Sequence, residues 1–309
     1  MAMLRIQPMH TFFFTAWRTL QSLDADVVHS FYPSDALAAI CVRRRTHHRA
    51  VLQMNGIAVP GVSCYRWMPP EGAMIREALR RADCRIACSQ FVRNLILEHY
   101  RVDADVIPTP LGIEAYEVGE GPPDGRPTIL ALADFNVRRK GIRVLVDAFS
   151  LVKGHVPAAR LWLSGRMSPS LQSELLDNVP ANVRTDIEVL GLGEVDDIPR
   201  LYREASVTVL PAMWEPSGTV LLESFASGTP VVATNHGGIP EFVRREVGVL
   251  FEPQTGGEET HNAKGLAEAV LEGLALAEKP DTRRACRAHA QQYCWPVIGP
   301  RIEALYRAA

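Results

Sequence analysis

Glu215 and Glu223, eight positions apart, bracket a helix start in the segment PAMWEPSGTVLLESFASGTPVVATNHGGIPE. A carboxylate accepts hydrogen bonds from two vicinal hydroxyls, which suits a ribose or a hexose better than a phosphate. Between the two glutamates, Ser217 has N-cap chemistry and Gly218 opens a helix that Gly228 and Pro230 stop. That helix follows a strand, so its unpaired amides around Ser217, Gly218 and Thr219, and its positive dipole end, face the crevice where phosphates bind above a parallel sheet. Two carboxylates beside a phosphate-binding helix start fit a nucleotide-sugar. Taken alone, Glu223 also reads as a solvated helix glutamate.

Two further segments point to the same crevice. In Asn235-His236-Gly237-Gly238-Ile239-Pro240 the paired glycines let a backbone come close to a ligand, although a plain strand-to-helix turn has the same composition. In Ala133–Gly141 a strand runs into a helix through Arg138, Arg139 and Lys140. Cations at a helix start are unfavourable without an anion, so the run points to a phosphate. A solvated basic loop is the alternative. Only four of the 33 basic residues are lysines, Lys140 among them, which hints at a place where a compact ammonium is wanted.

These loops need parallel sheets to position them. From Asp26 onward, short apolar runs alternate with amphipathic stretches of helix length, the pattern of βα units. The first half predicts strands at 26–29, 49–54, 84–88 and 105–107, with helices near 34–43, 71–82 and 91–99 between them. Residues 1–23 read as helical, with Phe12, Phe13, Phe14, Trp17 and Leu20 an apolar cluster expected to be buried. The Pro/Gly/Glu-rich stretch 114–127 reads as a linker. The second half predicts strands at 128–133, 160–164, 187–190, 206–210 and 231–233. The expected domains are 1–122; 123–295, which carries the candidate nucleotide-sugar site; and 296–309, a helix that can cross back to the first.

Composition sets limits on function. A net charge of −2 offers no basic surface for nucleic acid. The six cysteines form no CxxC pair and have no histidines at zinc spacing, so they read as reduced structural thiols. No apolar run reaches membrane-span length and no secretory leader is visible, so the expectation is a cytoplasmic protein with no membrane surface as partner.

The run RRKG after the first strand of the second half, the E-x7-E block and GGIPE occur in one order, and together they resemble glycosyltransferase family 4. DADVVHSFYP at 24–33 and ADCRIACSQFVRNLILEHYRVDADVIPTPLGIE at 82–114 resemble the same family. The resemblance implies an α/β protein of the GT-B fold, with two Rossmann-like doubly wound domains facing a cleft and an abbreviated first domain. It implies a retaining, hexosyltransferase-like enzyme that moves a sugar from a UDP- or GDP-linked donor to a small-molecule or glycan acceptor, with no separate cofactor. Glu223 would bind the ribose hydroxyls, Lys140 the diphosphate and Glu215 the transferred sugar, with the amides of 217–219 nearby and Gly237 and Gly238 close to the donor. Glu215 could stabilise an oxocarbenium-like centre while Lys140 and the amides stabilise the departing diphosphate, which leaves no role for a metal.

Departures from the family pattern accompany the match. Ala133-Asp134 stands where members usually carry Gly-Arg, so the first phosphate-binding arginine is absent and Arg138 or Arg139 could substitute. Asn55 stands where a catalytic-site histidine is frequent, and an amide can hydrogen-bond a hydroxyl but cannot take its proton. The family's opening strand and glycine-rich loop have no counterpart. These points keep open a non-catalytic nucleotide-sugar-binding relative or partner subunit, and a sugar-nucleotide epimerase or hydrolase on the same fold. The triplets at Asp24–Asp26 and Asp103–Asp105 resemble a metal motif but flank first-domain strands. The basic run at 43–49 reads as a helix end that complements its dipole. His29 reads as a packed residue, and Tyr65, Arg66 and Trp67 could face an acceptor. The sequence sets no donor base and no oligomeric state.

Overall fold

The structure is a computed structural model and describes residues 8–58, 69–191, 197–254 and 260–307. Tyr65, Arg66 and Trp67 lie outside the described residues, as does Cys64. The chain divides into two compact units, Met1–Thr109 with Ile298–Ala309, and Pro110–Val297.

The first unit runs α1 (Pro8–Leu20), β1 (Val27–Ser30), α2 (Pro33–Thr46), β2 (Arg49–Met54), α3 (Pro69–Arg81), β3 (Cys84–Ala87), α4 (Gln90–Tyr100) and β4 (Asp105–Val106). The strands are parallel in the order β1-β2-β3-β4. Successive crossovers in one direction stack the helices on one face of the sheet. Ala50, Leu52 and Met54 of β2 pack there with Ile40, Ile75, Leu79 and Ile96. Because side chains alternate along a strand, Val51 turns to the other face, where it and Ile86 meet Ile298 and Ile302 of the closing helix Trp295–Arg307.

In α1, Phe13, Ala16 and Leu20 share one stripe against this core. Phe12, Phe14 and Trp17 are 61%, 65% and 41% exposed, so the expected apolar cluster is not buried as a whole. Consecutive positions on a helix cannot share one face, and Phe12 and Phe14 fall on either side of the stripe. The basic run ends α2 as expected: Arg43 pairs with Asp83 at 2.7 Å, and His47 caps the helix in the left-handed region.

The second unit contains β5 (Thr128–Asp134), α5 (Ile142–His155), β6 (Arg160–Arg166), α6 (Pro169–Leu176), α7 (Ala181–Arg184), β7 (Ile187–Gly191), α8 (Ile198–Glu204), β8 (Val207–Leu210), α9 (Thr219–Ala226), β9 (Val231–Thr234), β10 (Gly248–Phe251), α10 (Ala263–Ala277) and α11 (Thr282–Ala290). Its parallel sheet has the order β10-β9-β8-β5-β6-β7. Both faces are covered, which is why strands such as Val-Val-Ala-Thr and Val-Thr-Val-Leu are buried throughout and mostly apolar. Ile129 and Ala131 face Phe149, Val152, Leu266 and Val270, whereas Leu130 faces Leu201 and Tyr202. Each such side chain contributes about 1.5–3 kcal/mol by leaving water. The sequence pattern named five of the six strands and missed β10 at the sheet edge.

The two units meet in sequence at Thr109/Pro110, ahead of the 122/123 junction read from composition. The stretch 114–127 reads as a linker, yet residues 110–121, which include its first part, are fastened to the second unit. Leu111 N–H donates to the Tyr293 carbonyl at 2.9 Å and Gly119 N–H to that of Ser227 at 3.1 Å. Arg287 binds the carbonyls of Ile113, Tyr116 and Ala226.

Candidate functional site

In the second unit the chain leaves β5 toward β6 on one side of the sheet, and β8 lies on its other side. The order reverses there, and the carboxyl ends of strands flanking such a reversal open a crevice. Three loops converge on it: after β5 (Phe135–Gly141), after β8 (Pro211–Gly218) and after β9 (Asn235–Gly238).

The first loop closes as a single 3₁₀ turn, Arg138–Lys140, and Gly141 is the N-cap of α5. The three cations therefore sit just before the helix rather than in its first turn. Gly141 has φ 70°, and a Cβ there would lie 2.3 Å from the Pro211 carbonyl oxygen, so only glycine lets the β5 and β8 loops touch. Lys140 Nζ donates to Glu215 Oε2 at 2.6 Å, and Arg139 donates to the same oxygen at 3.0 Å. All three side chains are largely shielded, at 14–17% exposure. Arg138 is exposed, and its charge acts on Glu174 instead. Lys153 binds Asp186 at 2.6 Å, so scarcity of lysine does not by itself mark the site.

In the second loop, the N-cap of α9 is Gly218 (φ 68°), with no side-chain cap bond. Ser217, expected as the cap, is instead buried one residue earlier. Left-handed backbone at 218 moves the helix start to Thr219, and its first-turn amides begin there. The third loop packs beneath the second. Gly238 N–H donates to the Glu215 carbonyl at 2.9 Å, and Gly237 (φ 68°) would place a Cβ 2.6 Å from that oxygen. Arg139, Lys140, Glu215, Gly237 and Gly238 are thus brought into direct contact or a single close approach.

Glu223 lies in the second turn of α9, and its surroundings were not anticipated. Tyr202 donates to Glu223 Oε2 at 2.6 Å, and Tyr116 hydrogen-bonds the same carboxylate. Burial pushes the carboxyl up, partly offset by the two phenols, and burial beside Glu223 pushes both phenols well above their ordinary range. A carboxylate has about four acceptor positions, so Glu223 retains capacity beyond these two bonds. No spacing rule links residues 116, 202 and 223. The link depends on Arg287 holding the Tyr116 segment.

In the first unit, Asn55 follows β2. Its Oδ1 accepts from Gln53 at 2.9 Å and from Thr109 at 3.3 Å, so the amide group is fixed in orientation. His29 Nδ1 bonds Tyr306 at 2.6 Å and its ring stacks on Phe31, consistent with a packed residue. Asp103 is held by Arg93 at 2.7 Å. Asp134 Oδ1 accepts from the Asn136 backbone at 3.2 Å.

Comparison with known proteins places the chain. A model described as Glycosyltransferase Family 4 matches residues 2–114, and one described as Glycosyl transferases group 1 matches 126–275. The phosphatidyl-myo-inositol mannosyltransferase of Mycobacterium tuberculosis is 30% identical over 72% of this chain and 58% of its own length. Across the first relatives matched, the chain spans between 24% and 58% of their lengths. Among solved structures, sucrose-phosphate synthase from Thermosynechococcus elongatus matches with a TM-score of 0.80 at 23% identity, over 98% of this chain and 79% of the other. The Anabaena protein HepE in complex with UDP matches at 0.76 and 18% identity, over 96% and 82%. The chain belongs to the glycosyltransferases of the GT-B fold, and the family 4 match in its first part agrees with the family that its motifs resemble.

Proposed function

We propose that this chain transfers a sugar from a nucleoside diphosphate sugar to a small-molecule or glycan acceptor, with retention at the anomeric carbon and without a metal. The observation that carries the reading is the convergence of Lys140, Arg139 and Glu215 at the β5/β8 reversal, with Glu223 in the adjoining helix. In this reading, Glu223 accepts the ribose hydroxyls, the α9 amides and Lys140 and Arg139 take the diphosphate, and Glu215 faces the transferred sugar. The two cations neutralise charge on the departing diphosphate, the work that a divalent ion does elsewhere. HepE has been solved in complex with UDP and with UDP-glucose, which supports a donor of this class. A cytoplasmic setting belongs to the reading.

Asn55, locked by Gln53 and Thr109 and unable to carry a proton, favours a second reading in which the protein binds a nucleotide-sugar without turning it over. Incubation with UDP- and GDP-sugars, following release of nucleoside diphosphate, separates the two. Release that Glu215→Gln abolishes supports transfer. Thermal stabilisation by nucleotide without release supports the binding protein, and no stabilisation by either nucleotide overturns both.

A further inference from the structure

Among the described residues, three other than glycine have left-handed backbone: His47, Arg101 and Trp214. His47 and Arg101 are ordinary helix C-caps, each donating its N–H to the preceding turn. Trp214 ends no helix. It lies between β8 and α9 with φ 56°, immediately before Glu215, and for a bulky side chain this conformation costs roughly 1–2 kcal/mol. Such a conformation persists only where its surroundings hold it.

Three of the hydrogen bonds around it bear on this conformation. Met213 N–H donates to the Arg139 carbonyl at 2.8 Å, Gly238 N–H donates to the Glu215 carbonyl at 2.9 Å, and Trp214 N–H donates to His236 Nδ1 at 3.2 Å. The first two are backbone to backbone and independent of side-chain identity. The third needs a side-chain acceptor at position 236. The imidazole also meets the indole edge-on, with centroids 4.8 Å apart. His236 is itself anchored, because Asn235 N–H donates to the Phe251 carbonyl at 2.8 Å and His236 N–H to that of Thr234 at 2.8 Å.

We infer that His236 is a positioning residue: its Nδ1 holds Trp214 in the left-handed conformation and so aims the Glu215 carboxylate at Lys140, Arg139 and the sugar. The inference rests on the proposed function of this site. His236 acts as the tautomer with the proton on Nε2, and burial, which pushes its pKa down, favours that neutral form. Rotation of the backbone at residue 214 swings residue 215 away from both cations, whereas Glu223 and its tyrosines stand on α9, α8 and the 110–121 segment and are unaffected.

The test compares His236→Ala with His236→Asn, since Asn Oδ1 sits at the same distance from Cβ as Nδ1 and replaces the acceptor. With donor cleavage as readout, His236→Ala lowers kcat by roughly ten- to a hundredfold, the scale of a small misplacement at a reacting centre. Its affinity for UDP or GDP does not fall. His236→Asn stays within about threefold of the parent, a difference under 1 kcal/mol in barrier. The inference is overturned if His236→Ala is as active as the parent, if Asn does not rescue, or if nucleotide affinity falls in parallel with kcat. A parent with no turnover for any donor overturns the functional reading alone. The role of His236 is then read from hydrogen exchange at the Trp214 amide. Protection there is retained in His236→Asn and lost in His236→Ala, and loss in both or in neither overturns it.

Discussion

In the proposed function, Glu215 and an incoming diphosphate compete for the same two cations, so Glu215→Gln should separate binding from turnover in opposite directions. Lys140 at 2.6 Å and Arg139 at 3.0 Å share one carboxylate oxygen, in a pocket where each side chain keeps at most 17% of its surface in water. A pair this shielded lies between exposed pairs, worth about 0–1 kcal/mol, and fully buried ones, where removing one partner costs about 3–5 kcal/mol. About 1–2 kcal/mol is a consistent value for what the diphosphate must displace. Removing the competing charge therefore tightens UDP or GDP binding roughly five- to thirty-fold. The same change removes the anion that faces the developing positive charge at the anomeric carbon, so turnover falls by about 10²–10³. Titration calorimetry with each nucleoside diphosphate and an assay of diphosphate release measure the two effects on one preparation. Weaker nucleotide binding in the variant, or turnover within about threefold of the parent, refutes the competition.

Glu223→Gln should have the opposite pattern, losing nucleotide affinity while raising stability. Its folded-state pKa is raised by burial, so the ionised form costs stability at neutral pH, and that cost fades as pH falls toward the ordinary value of 4.5. Melting curves should show the variant more stable than the parent at pH 7–8, with the gap closing near pH 4.5. Gly237→Ala combines a positive φ with a Cβ 2.6 Å from the Glu215 carbonyl oxygen, and should lower stability by about 2 kcal/mol or more, read as a drop in melting temperature. Lys140→Met leaves Arg139 as the only partner of the Glu215 carboxylate among those described and should weaken nucleotide binding by roughly tenfold, in calorimetry. An unchanged affinity would remove Lys140 from the diphosphate site.

Much of the second unit was legible because its signals are local. The strand 128–133, the helix after RRKG and the turn at Gly237-Gly238 follow from period and turn chemistry over a few residues. β10 was missed because a four-residue apolar run at a sheet edge carries little periodic signal. The N-cap of α9 was misassigned by one residue because Ser217 and Gly218 both suit the position, and backbone geometry chose Gly218. The stretch 114–127 has linker composition, yet its first residues are tied down where Arg287 binds the Tyr116 carbonyl, which composition does not record.

The amino-acid sequence by itself determined that two parallel-sheet units are present and singled out Glu215, Glu223, Lys140 and the paired glycines as the candidate site. Their types and short-range spacing are properties of neighbouring residues on one strand, turn or helix. Only the tertiary structure decided that Arg139 and Lys140 share an oxygen of Glu215, that Tyr116 and Tyr202 hold Glu223, and that His236 pins Trp214. Those pairings join loops about 20 to 100 residues apart, and a hydrogen bond across such a separation exists only after the sheet has brought strand ends together.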